Sequence, residues 1–419
     1  MESKQLEHEA GLIRKILGSA IRNPSDSGHP VLVDDWEHNW NPQSQSSQAP
    51  NTRTYAYINN PTGSIRWFFP ADTPYPAYLG LYNSAHLKAR IYKLGTHAAF
   101  SLGVQRKLFT GYFSIKSTKV PFENLLESLD AETYAVFTGT VGENRKSVAA
   151  IYRNKEISHF IKMAHTKQAE NILKNEASYL RKLGDYPFFR LIHPRVHPAS
   201  QDPCLILSNI KPKPAREVAR LEDMHVEALA EIYKFTHQKA SISETDFYRK
   251  IHENLGRIYS REVVDPKLDT PALHRVIDGL IKLSKSISEK NHIPLALAHG
   301  DFTPWNMYLS DNYVHVYDWE LAKENKPLLF DFFHFMYQSG VMLLRQNFSQ
   351  LEREINRSLR LPHTKKIIKT YKLDIQLCHK LYLLSIISYY LRIYMDESQV
   401  HMQVHWLLDI WKQSLEKFS

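Results

Sequence analysis

Asp301 and Asn306 stand five positions apart in Leu297-Ala-His-Gly-Asp-Phe-Thr-Pro-Trp-Asn306, and His299 lies two before the aspartate. A carboxylate and a carboxamide at this spacing suit a loop that handles an attacking hydroxyl and a metal-bound phosphate together. The carboxylate accepts the hydroxyl proton. The amide oxygen, one loop turn later, reaches a cation that bridges phosphates. His299 is expected to brace the loop rather than react. After Asn306 come Met307-Tyr-Leu309, a turn at Ser310-Asp-Asn312 and Tyr313-Val-His-Val-Tyr317, which reads as strand, turn, strand. Asp318 follows at the exit of that hairpin, placed to grip Mg²⁺.

The spacing His-x-Asp-x-x-x-x-Asn is the one protein kinases use in their catalytic loop, so the rest of that machinery has a place to be sought. It needs a strand lysine for the α- and β-phosphates and a helix glutamate to hold it. Lys162 alternates into the β-type run Ile157–Met163, and Glu176 lies fourteen positions on in a helical pattern from Thr166 to Leu183. The turn over the phosphates should join the two preceding strands, and Thr138-Gly-Thr-Val-Gly-Glu-Asn-Arg-Lys-Ser147 occupies that place. It holds only Gly139 and Gly142, short of a full G-x-G-x-x-G, and Arg145 stands where a Walker pattern needs glycine. Backbone N–H groups there still suit phosphate oxygens.

On His299-Gly-Asp-Phe-Thr-Pro-Trp-Asn306 and Val316-Tyr-Asp-Trp-Glu320, the chain resembles the aminoglycoside phosphotransferase and choline kinase-like group, over about residues 125 to 400. The resemblance implies a bilobal protein-kinase-like fold and use of ATP and Mg²⁺. It implies Asp301 as catalytic base, Asn306 and Asp318 as Mg²⁺ ligands, and Lys162 with Glu176 as the phosphate-positioning pair. Leu205 to Ile210, with Leu207 and Asn209, becomes the hinge that meets adenine. Asp331, in Leu329-Phe-Asp-Phe-Phe333, becomes a structural support for the catalytic loop.

The elements that must position these residues run from strands to helices, an α+β order. Thr133–Phe137, Ser147–Tyr152, Ile157–Met163 and Cys204–Ser208 read as strands, and residues 220 to 290 as mostly helical. The expected organisation is an N-terminal extension over 1–118, a β-rich lobe over 119–210 and a helical lobe over 211–419. Within the extension, residues 10–22 suit an amphipathic helix, docked on its own protein or, as the sharper alternative, lying on a membrane. The tract Gln43–Gln48 reads as a linker. Thr54–Ile58 and Ser64–Phe69 flank Asn59-Asn-Pro-Thr-Gly63 as strand, turn and strand. The aromatic residues Trp67, Phe68, Phe69, Tyr75, Tyr78 and Tyr82 suit a small core, with a sugar-stacking surface as the alternative. Residues 84–109 read as a helix capped by Asn83-Ser84.

The 419 residues are 43% hydrophobic and 23% charged, which excludes a disordered chain. The net charge of +9 favours anionic partners and counts against a strongly cationic substrate. That balance points to a small-molecule or carbohydrate hydroxyl as acceptor, neutral or anionic, with an aminoglycoside or choline-type kinase and a nucleotide-binding scaffold as the competing readings. Cys204 and Cys378 sit in apolar runs and read as small core residues of a cytoplasmic protein. No leader-like apolar stretch opens the chain, and Leu381–Met395 is too short and polar to span a bilayer. The i, i+4 pairs His193/His197 and His401/His405 would bind zinc only where a third ligand converges; Pro194 splits the first, and the second reads as a solvated or packed helix face. The short basic strip at Arg90-Ile-Tyr-Lys93 does not argue for nucleic acid.

Overall fold

The computed structural model describes residues 10–17, 32–37, 52–82, 87–116, 121–260, 263–397 and 400–418. The chain divides into two compact units, Met1–Arg181 with Pro194–Asn209, and Lys182–His193 with Ile210–Ser419. The linker tract at 43–48 and the cap at Asn83-Ser84 lie outside the described residues.

The first unit is built on one antiparallel sheet. Its strands are β1 (Leu32–Glu37), β2 (Thr52–Asn59), β3 (Ile65–Pro70), β4 (Gly111–Lys116), β5 (Thr133–Phe137), β6 (Lys146–Arg153) and β7 (Glu156–Ala164). The next strand of the chain, β8 (Leu191–Ile192), belongs to the second unit, and β9 (Cys204–Ser208) completes the sheet in the order β1-β4-β2-β3-β5-β6-β7-β9. Strands from the first 118 residues therefore share a sheet with those from 119–210. β3 pairs with β5 through Trp67↔Phe137 and Phe68↔Val136. The expected hairpin of β2 and β3 is present. Its turn is held by Asn60, whose Oδ1 accepts from the N–H groups of Thr62 and Ser64.

Alternation along these strands gives the sheet two apolar faces. Tyr55, Phe68, Phe113, Tyr134, Ile151 and Ile161 face one way, covered by α1 (residues 10–17) and α3 (Pro121–Ser128). Ile13, Ile16 and Leu17 of α1 are fully buried there. At roughly 1.5–3 kcal/mol for each buried aliphatic side chain, this helix is bound to its own protein rather than to a membrane. The other face carries Trp67, Phe69, Tyr112, Ala150 and Tyr152 under Tyr78, Leu79 and Phe100, the last from α2 (Leu87–Ser101). Trp67, Phe68, Phe69 and Tyr78 are thus core, and no sugar-stacking surface is made from them. The helix α4 (Lys167–Leu183) follows β7 in the chain.

The second unit is mostly helical. It contains α5 (Asp223–Thr236), α6 (Asp246–Tyr259) and α7 (Pro271–Lys285), with β10 (Gln238–Ser241) between the first two. Then follow β11 (His292–Ala298), β12 (Met307–Leu309), β13 (Val314–Val316) and β14 (Lys323–Pro327). The helices α8 (Phe330–Gln338), α9 (Phe348–Ser358), α10 (Pro362–Tyr371), α11 (Ile375–Tyr394) and α12 (Met402–Glu416) complete it. Two small sheets, β10-β11-β14 and β12-β13-β8, hold the segment between β11 and β12 from both ends. α11 buries Leu381, Leu383, Leu384 and Ile387 in this core. Among the described residues no helix is long and apolar enough to cross a membrane. Both cysteines are free and buried, and burial pushes the Cys378 thiol up to about 12.

Candidate active site

In the first unit, Lys162 sits on β7 opposite Leu205 of β9 and Val148 of β6. Its Nζ donates to both carboxylate oxygens of Glu176, at 2.7 and 2.8 Å. Glu176 is fully buried. It falls on the α4 face that carries Ala169, Leu173, Ala177 and Leu180, so the helix spends a core position on a charge. A carboxylate is stable there only because an ammonium meets it.

The β5–β6 turn with Gly139 and Gly142 is tied to the start of α4. Thr166 caps that helix through a bond from the Ala169 N–H at 3.0 Å, and its hydroxyl donates to the Glu143 carbonyl. The His165 N–H reaches the Arg145 carbonyl at 3.1 Å. Gly139 has φ +81°, and a Cβ there would lie 2.0 Å from the Lys146 carbonyl oxygen, so only glycine fits. Gly142 has φ +152° and open space beside it. In the expected hinge, Leu207 is buried on β9, and the Asn209 amide donates to the Ile157 carbonyl at 2.8 Å. The boundary between the units falls just after Asn209. Phe160, which sequence reasoning passed over, shares the strand face of Lys162 by alternation and pairs with Leu207.

In the second unit, the segment from His299 to Asn306 is fixed by a buried polar net. Asp331, in the first turn of α8, accepts from the His299 N–H at 2.7 Å and from the Gly300 N–H at 3.0 Å. His299 is fully buried. Its Nε2 donates to the Tyr317 carbonyl at 2.7 Å, and its Nδ1 accepts from the Asp301 N–H at 3.2 Å. These contacts fix the Nε2–H tautomer and give the ring a bracing place away from any reacting group. Gly300 has φ +85°, and a Cβ would lie 2.3 Å from the Leu321 carbonyl oxygen, so the loop turns tightly beneath Asp301.

Asp301 keeps 27% of its side-chain surface exposed. One carboxylate oxygen accepts from Asn306 Nδ2 at 2.8 Å, the other from His334 Nε2 at 3.1 Å. Burial alone would raise its pKa. The hydrogen bond from His334, the favourable electrostatics of the His334 and His299 rings and the Asn306 bond outweigh burial, so the net shift is downward. Asp301 is therefore ionised at neutral pH and ready to receive a proton. Burial pushes Asp331 the other way, and its bonds to His299 and Gly300 offset that only in part. His334 is a residue the sequence reading missed. It stands one α-helical turn beyond Asp331 on α8, and its only sequence signal is that i, i+3 spacing.

Asp318 follows the short hairpin β12–β13. The Tyr317 N–H donates to the Asn306 carbonyl at 2.8 Å, while the Tyr317 carbonyl takes the His299 ring. The residue before Asp318 is thus stitched to both ends of the Asp301 loop. Asp318 itself is left-handed, at φ +60°, and opens a short 3-10 turn over Trp319–Leu321. Asn306 spends its Nδ2 on Asp301, which leaves its Oδ1 as the remaining ligand atom. A carboxamide oxygen and a carboxylate are hard oxygen donors, the kind Mg²⁺ takes.

No family model matches this chain, and no curated protein does. Among solved structures it is similar to a thermostable mutant of aminoglycoside phosphotransferase APH(4)-Ia in ternary complex with ADP and hygromycin B. The identity is 14%, the match covers 70% of this chain and 97% of that one, and the TM-score is 0.46. ADP-bound aminoglycoside phosphotransferase APH(2'')-Ib is 12% identical over 71% of this chain and 98% of its own, with a TM-score of 0.41. Amicoumacin kinase hAmiN, in complex with AMP-PNP, Ca²⁺ and Ami, is 13% identical over 71% and 93%, also at 0.41.

Proposed function

We propose that the chain is an ATP- and Mg²⁺-dependent phosphotransferase that acts on a hydroxyl of a small molecule or carbohydrate. The observation that carries the reading is Asp301, a partly exposed, ionised carboxylate held through both oxygens by His334 and Asn306. When bound, ATP with Mg²⁺ supplies the phosphoryl group and the charge that neutralises its oxygens. Lys162, held by Glu176, orients the phosphates. The turn with Gly139 and Gly142 offers N–H groups to them, and Leu207 and Asn209 form the hinge beside adenine. Asn306 Oδ1 and the Asp318 carboxylate hold the metal. Asp301 takes the proton of the acceptor hydroxyl, and His299 keeps the loop in shape.

The acceptor is proposed to be neutral or anionic. Lys326 of β14 places its Nζ over the rings of Phe247 at 4.7 Å and Phe330 at 4.5 Å, with Ser385 Oγ at 3.4 Å. Phe330 stacks in parallel on His334, the ring that bonds Asp301. Burial, helped by Lys323 and opposed by Asp331, lowers the Lys326 pKa to about 7. The net charge of +9 favours a neutral or anionic acceptor over a cationic one.

The test is turnover of labelled ATP with Mg²⁺ against neutral sugars, sugar acids, choline-like alcohols and aminoglycosides. Labelling of a sugar or sugar acid, lost by orders of magnitude in Asp301→Ala at unchanged fold, is the expected result. Full transfer by that variant removes Asp301 from the reaction. Nucleotide binding without turnover on any acceptor replaces the enzyme with a nucleotide-sensing scaffold. Preferred labelling of aminoglycosides overturns the acceptor class.

A further inference from the structure

The basic excess of the chain is not spread evenly. Between Asp72 and Glu123 there is no acidic residue, while Lys88, Arg90, Lys93, Arg106, Lys107, Lys116 and Lys119 all fall there. These seven cations account for most of the net +9. The same segment carries an unusual apolar surface. On α2 and the turn that follows it, Ile91 is 60% exposed, Leu94 71% and Leu102 76%, with Val104 beyond them at 44%.

The spacing shows that this is one stripe. Ile91, Leu94, Ala98 and Leu102 recur at i, i+3, i+7 and i+11, and the Leu102 N–H still makes a helical bond to the Ala98 carbonyl at 3.0 Å. The opposite side of α2 is anchored, with Thr96 buried and Phe100 packed into the apolar cluster on the sheet. Arg90 and His97 lie exposed beside the stripe, and exposed Arg106 and Lys107 follow it. An aliphatic ridge rimmed by cations, fixed on a rigid helix, has the chemistry of a surface that sits at the boundary of headgroups and acyl chains.

We propose that the exposed face of α2 and the turn through Lys107 docks on an anionic lipid surface. Charge complementarity selects this occupant. A second copy of the same face would set like charges together across the contact. Single-stranded nucleic acid is gripped by aromatic platforms, whereas this ridge is aliphatic. The amphipathic segment at residues 10–17, for which a membrane was only the alternative reading, has its apolar face buried on its own protein as expected and does not compete for this role. The role is independent of catalysis, since none of these residues belongs to the candidate active site.

The experiment is co-sedimentation of the full chain with phosphatidylcholine vesicles, with and without 30 mol% phosphatidylglycerol, at 0.1 and 0.5 M salt (roughly 10 Å and 4 Å screening lengths). Binding at least tenfold tighter to the anionic vesicles, and weakened by salt, is expected. The variant Ile91→Asp/Leu94→Asp should lose at least tenfold in that binding with unchanged Tm. Arg106→Glu/Lys107→Glu, at two exposed positions outside the helix, should weaken it as well and serves if the first variant unfolds. Equal binding to both vesicle types, or full binding by both variants, overturns the proposal. So does an equally tight grip on an oligo(dT) probe that ignores the Asp substitutions, which would make the face a nucleic-acid contact.

Discussion

Asp331→Ala removes the acceptor for two backbone donors at once. The Asp331 carboxylate takes the His299 N–H at 2.7 Å and the Gly300 N–H at 3.0 Å, in a place where His299 is fully buried. A buried donor left without a partner costs about 1–3 kcal/mol, so two cost about 2–6 kcal/mol. The loop has little room to relax, because Gly300 already lies within 2.3 Å, measured from an added Cβ, of the Leu321 carbonyl oxygen. Asp331→Asn keeps one oxygen acceptor and turns an NH₂ toward the other donor, so it should lose about 1–3 kcal/mol. Urea unfolding followed by circular dichroism gives the stability order, wild type above Asn above Ala. Phosphotransfer measured on the folded proteins should show kcat falling on the order of a hundredfold while the KM for ATP moves little, because Asp301 is misplaced by its own loop. An alanine variant within about 1 kcal/mol of wild type, with full kcat, would falsify the claim that Asp331 supports this loop.

His334→Ala should lower kcat at least tenfold with the KM for ATP unchanged, and His334→Gln, which retains an N–H donor toward Asp301, should recover part of it; equal kcat in all three proteins would leave His334 a packing residue. Glu176→Gln strips the countercharge from Lys162. Breaking such a buried pair costs about 3–5 kcal/mol, and the KM for ATP should rise, whereas the double change to methionine at both positions should restore stability but not turnover. His225 is buried and burial depresses its pKa to about 4, so the stability it contributes is complete above about pH 6.5 and lost as pH falls through 4. The loss amounts to about 3 kcal/mol, and denaturation midpoints at pH 7 and pH 4 should differ less in His225→Phe than in wild type.

The local elements around the chemistry were legible in the chain because their signals are local. Alternation marks Ile157–Met163 and Cys204–Ser208 as strands, and the structure has β7 and β9 there. The turn Ser310-Asp-Asn312 between apolar triplets becomes the β12–β13 hairpin. The spacing around Asp301, together with the family it resembles, nominated Asp301, Asn306, Asp318, Lys162 and Glu176 as a chemical set. The bracing place of His299 also followed from its position beside Asp301.

What pairs across long separations was decided only by tertiary structure, since no periodicity encodes which surfaces meet. The resemblance pairs Glu176 with Lys162, but only the fold supplies the burial that makes each the other's needed partner. His334 sits in a run of aromatics and carries no motif, yet the packing of α8 aims it at Asp301, thirty-three positions away. The first 118 residues looked like an extension, but hydrogen bonding between β3 and β5 merges them into one sheet with the strands that follow. Residues 10–17 and α2 were both legible as helices, but not which of their apolar side chains the fold would cover. The sheet has room to bury the apolar face of the first, and it leaves that of the second in water.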